Sequence, residues 1–320
     1  MNWFDSDGRP PSAKKLYKLM QQASREMDPH TRDLYMQAVH NAVLSQFLGD
    51  GDFLKGGAAI QLSYPLREGR LSEDIDTVYA DSKTEFEAGM VDRLRAGWQG
   101  FTGTIESLPH GKRTLMPEGA SMSRYKVKLL YKNKPFSSFY IEAVPDLNGV
   151  NDRTESKLDP QYVSLLNDLG LKLSPVRMMD KTTQIAEKLH ALNRKDKIRA
   201  NDLADIAEIM KHERVDYDGL RESARRVEHA QRQHPIKALP EELKDDFRAP
   251  YAETGSSVPF DEAWNTVRGL LHQVDPAFKK EWRTSAEQRY DEEIDRIDRQ
   301  GGRHGPQTRD SRGRYSHNAW

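Results

Sequence analysis

The sequence predicts an α+β protein: a first half built on a mixed α/β sheet and a second half made of helices. Three observations predict it. Strand-like and helix-like segments intermingle up to about residue 150. After Pro175 the apolar residues recur almost only at helical spacing. The chain has 320 residues, enough for more than one ordinary domain.

The elements follow in order. Leu16, Leu19, Met20 and Ala23 share one face of a helix over 12–27, which Asp28-Pro29 breaks. A second helix runs over 31–47, with Leu34, Ala38, Ala42, Val43 and Phe47 at three- and four-residue steps, and Gly49 and Gly51 end it. Phe53-Leu54 leads into Lys55-Gly56-Gly57, where a short helix over 58–64 opens. Alternation predicts strands over 74–79, 102–108, 125–131 and 136–144, with a helix over 82–98. Helices follow over 178–193, 200–211, 217–233 and 260–274. The expected organisation is N-terminal helices over 1–48, a sheet core over 49–150, a helical domain over 175–280, and a charged helix with a disordered tail over 281–320.

Composition narrows the function classes. There is no cysteine, which removes disulfides, thiolate metal sites and thiol nucleophiles together. The formal net charge is -1, so any nucleic-acid binding must come from a local basic patch. No apolar run reaches the ~20 residues of a membrane span. The N-terminus lacks the basic and apolar regions of a signal peptide. A cytoplasmic protein with no membrane partner is therefore expected.

The chemistry concentrates between Lys55 and Asp76. Aspartates two apart on a strand point to the same face, so Asp74 and Asp76 converge while Ile75 turns to the core. Hard divalent cations take oxygen ligands, and paired metal sites clamp the attacking and leaving oxygens of a phosphoryl-type transfer. Gly56 and Gly57 let backbone amides approach phosphate with no Cβ in the way, at a helix start that favours anions. This combination fits nucleotidyl transfer from a nucleoside triphosphate with Mg2+ or Mn2+. Glu142 is the candidate third metal ligand beside Asp74 and Asp76, with Asp146 in reserve. Ser72 contacts phosphate or fixes the turn. Arg70 holds the triphosphate or pairs with Glu73. Lys55 faces phosphate or solvent.

The run FLKGGAAIQLSY followed by GRLSEDIDTVY resembles the AbiEii/AbiGii toxin family of bacterial nucleotidyltransferases. A later block, AEKLHALNRKDKIRANDLADI, is similar to that family's second signature. The matching elements are Lys188-Leu189-His190-Ala191-Leu192, then Arg194, then Asp202-Leu203-Ala204-Asp205. One departure is Asn201, where the family often has an arginine. The segment 80–135 carries no motif of it. The resemblance covers roughly residues 30–210. It implies a nucleotidyltransferase-like N-terminal domain, with the active site between it and the helical half. It also implies a toxin that uses an NTP and magnesium, opposed by a cognate antitoxin encoded nearby. Growth arrest and phage defence by abortive infection are the implied roles, and some relatives use the acceptor end of tRNA.

In that frame Lys188 is a cation for the triphosphate, the alternative being a lysine on the solvent face of its helix, and Arg194 braces phosphate or pairs with Asp205. Asp202 or Asp205 orients Lys188, assists the acceptor or is a surface acid, while His190 is a packed or exposed helix residue. Arg124, Lys126 and Lys128 alternate on one strand face and form a candidate nucleic-acid surface, extended by Lys132, Lys134, Arg225 and Arg226. The competing reading is a charged edge strand. Two functional alternatives stand beside RNA modification: AMP transfer to a protein hydroxyl, and a non-catalytic binding partner retaining the fold.

Overall fold

The structure is a computed structural model. It describes residues 3–72, 74–109, 122–146, 158–194, 197–230 and 236–275, with the backbone of 154–155. The expectations placed on Glu73, on 231–233 and on 281–320 lie outside the described residues. Residues up to Val274 form one compact unit.

The fold is mixed α/β. Among the described residues its sheet has seven strands: β1 (Phe53–Leu54), β2 (Asp74–Tyr79), β3 (Phe101–Ser107), β4 (Ser123–Tyr131), β5 (Lys134–Pro145), β6 (Thr154–Glu155) and β7 (Met178–Met179). Their order is β3-β4-β5-β2-β1-β7-β6. β3, β4 and β5 form an antiparallel meander, and β5 then runs parallel to β2 with Asp76 opposite Glu142. β1 is antiparallel to β2 and parallel to β7.

The helices are α1 (Ala13–Ala23), α2 (Pro29–Ser45), α3 (Gly56–Ser63), α4 (Lys83–Ala96), α5 (Pro160–Asp168), α6 (Lys181–Leu192), α7 (Ala200–His212), α8 (Tyr217–Ala230), α9 (Lys244–Ala252) and α10 (Phe260–Val274). Local chemistry sets several starts. Asp28 caps α2, which places Pro29 inside the first turn, where its missing N–H costs nothing. Ser82 and Glu85 form a reciprocal capping box on α4.

Some boundaries differ from the sequence expectation. α1 stops at Ala23 rather than Met27. α6 begins at Lys181, because Met178 and Met179 pair as a strand beside Leu54 and Asp180 accepts the Thr183 N–H as cap. α5 was not anticipated, although Asp159-Pro160 supplies its cap and first residue. α9 was missed too; it carries Pro250 inside it, a residue that reads as a breaker.

Among the described residues the two larger apolar cores share one wall, and Phe53, Val78 and Met179 form a third, small cluster. The first packs α1, α2 and the inner sheet residues Tyr125, Val127, Leu129 and Ile141. The second packs α6 to α10 around Trp264, Leu203 and Ile206. α3 belongs to both: Ala58, Ala59 and Leu62 face the first, while Ile60 and the following Tyr64 face the second. Burial of Ile60 and Leu62 contributes roughly 1.5–3 kcal/mol each. That double burial fixes the start of α3, with its glycine pair, between the sheet and the helical half.

Candidate active site

The strand wall comes first. Asp74, Asp76 and Glu142 all line an open cleft of about 990 Å³. β2 presents the two aspartates on one face with Ile75 buried between them, and the parallel register puts Glu142 beside Asp76. Arg124, opposite Glu142 on β4, reaches across with its guanidinium 2.8 Å from Asp74 and 3.7 Å from Glu142. Burial pushes the Asp76 carboxyl above the usual carboxylate range, even with Lys55 and Lys188 opposing the shift. Glu142 is pushed up by burial and then by Asp76 and Asp74. The three acids thus form a crowded, all-oxygen donor set.

The glycine corner sits next to it. Gly56 has φ of +63°, and a Cβ there would lie 2.1 Å from Asp76 Oδ2. Only glycine allows this turn and this approach together. A Cβ on Gly57 would meet Ser72 at 3.0 Å and Arg70 at 3.3 Å. Lys55 donates its backbone N–H to Asp76 O at 3.0 Å, which ties the corner to β2. Its ammonium bonds Glu187 at 2.9 Å. Burial alone would lower the Lys55 pKa, but Glu187 and Asp76 more than offset that and raise it. Ser72 donates its hydroxyl to Asp74 O at 3.0 Å, and Gln37 holds the Ser72 backbone from both sides. Ser72 therefore fixes the turn while also lining the cleft.

The helical wall is an ion network. Lys188 on α6 lies 2.6 Å from Asp205 and 3.2 Å from Asp202, both on α7. Arg70 grips Asp205 with two parallel bonds, at 2.6 and 2.7 Å. Asp205 is 2 % exposed. Burial alone would raise its pKa, but Lys188 and Arg70 prevail and hold it near about 2. Asp205 and Asp202 likewise keep Lys188 protonated against its own burial. Arg70, which lines the cleft, is thus bound to the buried Asp205.

Arg199, which the sequence reading did not single out, lines both the main cleft and an adjoining lobe of about 230 Å³. Among the described residues its Nε is buried with no hydrogen-bond partner, and Asp202 stands 3.9 Å from its guanidinium. The available signal was its place three residues ahead of Asp202, one helical turn away. Arg194 instead is exposed beyond the end of α6, lines neither lobe, and leaves Asp205 to Lys188 and Arg70. Asp146 follows β5 and bonds Tyr79 O through its backbone; it too lines neither lobe. His190 is buried. Arg124, Lys126 and Lys128 share the open face of β4, away from the core.

Behind Arg70, Glu68, Glu208 and His212 come within metal-ligating distance of one another. Lys211 lies 2.7 Å from Glu68 and supplies a cation there. His212 bonds Glu68 and Glu208 at 2.6 and 3.1 Å and stacks on Tyr64. This cluster braces the Leu66–Glu68 turn, and hence Arg70, against α7.

No curated protein matches the sequence. The structure is similar to that of MenT4, a nucleotidyltransferase toxin from Mycobacterium tuberculosis H37Rv. The identity is 16% and the TM-score 0.53, with 82% of this chain and 91% of that one covered. JHP933 from Helicobacter pylori matches at 14% identity and a TM-score of 0.45, over 82% of this chain and all of the other. Among the described residues no helix is long and apolar enough to cross a membrane. The model of the AbiEii nucleotidyl transferase toxins of type IV toxin–antitoxin systems matches residues 42–298, and the chain belongs to that family.

Proposed function

We propose that this toxin transfers a nucleotide from a nucleoside triphosphate to an RNA acceptor, the 3' end of tRNA, with Mg2+ or Mn2+, and that a cognate antitoxin encoded nearby opposes it. One observation carries the reading. Asp74, Asp76 and Glu142 form one wall of a cleft whose other wall and floor bring Lys55, Arg70, Lys188 and Arg199. Carboxylates for divalent cations thus face cations for a triphosphate.

The donor set fits hard divalent ions, because all three ligands are oxygens and the raised Asp76 and Glu142 carboxyls are relieved by a nearby positive charge. When bound, such ions neutralise the triphosphate and the leaving pyrophosphate. The chain's own residues do the rest. The N–H groups of Gly56 and Gly57, at the start of α3, cradle phosphate. Lys188, held in place by Asp202 and Asp205, presents a fixed positive charge to the phosphates, and Arg199 adds a planar donor. An acceptor hydroxyl then attacks the α-phosphate in line. Positioning and preorganised charge supply most of the acceleration.

The test is incubation of the protein with each labelled triphosphate, magnesium and total RNA. Label on tRNA that vanishes with Asp74→Ala supports the reading. Label on protein and not on RNA replaces it with protein modification. Toxicity in cells that survives Asp74→Ala and Asp76→Ala removes catalysis from the account.

A further inference from the structure

We infer that the open face of β4 and β5 is the track for a single-stranded RNA end, with Tyr140 as its base-stacking platform; this rests on the RNA-acceptor reading above. Three cross-strand pairs form a ladder that starts at the carboxylate wall: Arg124 with Glu142, Lys126 with Tyr140, and Lys128 with Ser138. Directly opposite residues share a face, and rungs two residues apart are about 7 Å apart along the strand. That step is of the order of one stretched nucleotide.

Tyr140 is the aromatic of this ladder and is 38% exposed. It pairs with Asp74 on one side and with Lys126 on the other, so it is the rung next to the metal-binding aspartates. Its ring has Arg124 at 4.7 Å and Lys126 at 6.0 Å from its centre. The core takes the other face of β4 through Tyr125, Val127 and Leu129, so packing does not require an aromatic at 140. A ring flanked by cations beside an acidic centre is the chemistry that receives an unstacked base and its phosphate.

The same face argues for a short strand end over a long duplex. Glu106 on β3 stands opposite Lys126, and Arg124 is engaged by Asp74. The face therefore has too little net positive charge for broad duplex binding, and stacking must contribute. The terminal nucleotide, whose hydroxyl attacks, lies at Asp74 and Glu142, and the penultimate base lies on Tyr140.

The test is fluorescence anisotropy with an RNA hairpin carrying a four-nucleotide 3' overhang, and the same hairpin made blunt. The full-length protein should bind the overhang hairpin more tightly. Tyr140→Ala should weaken that binding by roughly tenfold or more, and Tyr140→Phe or Tyr140→Trp should restore it. Lys126→Ala and Lys128→Ala should each lower the salt dependence by about one counter-ion. Melting temperatures confirm that every variant is folded. If the parent binds the overhang but Tyr140→Ala binds it equally well, the platform is wrong and the RNA reading stands. Equal parent binding of blunt and overhang hairpins also overturns the track. If the parent binds neither RNA, the acceptor reading and the track fall together.

Discussion

The molecule carries two aspartate pairs in opposite surroundings: Asp74 and Asp76 both line the cleft, while of the helix pair Asp202 lines it and Asp205 is buried. Asp74 and Asp76, two apart on a strand, stand with Glu142 in an acidic cluster; among the described residues, the direct counter-charge at Asp74 and Glu142 is an exposed arginine, Arg124. Asp202 and Asp205, three apart on a helix, are bound to the protein's own Lys188 and Arg70. Electrostatics separates them: Asp76 is pushed above the usual carboxylate range and Asp205 is held near about 2. In the proposed reading the strand pair receives cations from solution, whereas the helix pair fixes cations already in the chain. Spacing alone does not make an aspartate pair a metal site; what else is buried beside it decides.

The largest expected effect breaks the strand pair. Asp76→Ala should lower nucleotide transfer on the order of a thousandfold or more, because several kcal/mol of charge stabilisation is lost. The same change should leave the melting temperature unchanged or raised, since a carboxyl held above its usual pKa is a strained charge in the folded state. A fall in melting temperature would show that Asp76 supports the fold.

Asp205→Ala should do the reverse to stability. It leaves Lys188 and part of Arg70 buried without their shared counter-ion, and urea unfolding should show a loss of about 3–5 kcal/mol. A loss under 1 kcal/mol would mean that the network is replaceable by water.

The pH dependence sharpens the contrast. Asp205 titrates lower in the folded chain than in the unfolded one, so its contribution is present above about pH 4 and is lost as pH falls toward about 2. That contribution is about 2 kcal/mol. Asp205→Asn should therefore flatten the acid side of the stability curve, measured by denaturant midpoint against pH, whereas Asp76→Asn should not.

Gly56→Ala should have a smaller effect on transfer than Asp76→Ala, with a modest cost to the fold. The positive φ costs roughly 1–2 kcal/mol for an alanine, and the new Cβ collides with Asp76. Transfer should fall by about tenfold or more, while the apolar side chains that α3 gives to the two cores are unchanged. Parent-like activity would mean that Asp76 has room to move.

Much of this was legible in the sequence. Asp74 and Asp76 have a side-chain period that fixes their common face without knowledge of the neighbours. Gly56 and Gly57 likewise announce a close approach. The partner of Arg70 was not legible: the sequence placed Glu73 within reach, and the structure uses Asp205, 135 residues away. The same holds for the pairing of Lys55 with Glu187. The strand at Met178–Met179 was hidden because two methionines before a helix continue its apolar periodicity, and only Leu54 beside them makes a strand. Arg199 was passed over for Arg194, because a motif-sized match weighs residue type and spacing but not which side of a helix start faces the cleft. Local geometry is written locally, and ion partners are written in the fold.

The most direct measurement is a Mn2+ titration of three folded proteins in the presence of a non-hydrolysable nucleoside triphosphate, read by the loss of free-ion electron paramagnetic resonance signal. The parent and Asp202→Asn should bind Mn2+ with similar affinity, and Asp76→Asn should bind it at least about tenfold more weakly, in line with loss of a charged oxygen ligand. Binding retained by Asp76→Asn, or lost equally in Asp202→Asn, would contradict the division of labour between the two aspartate pairs.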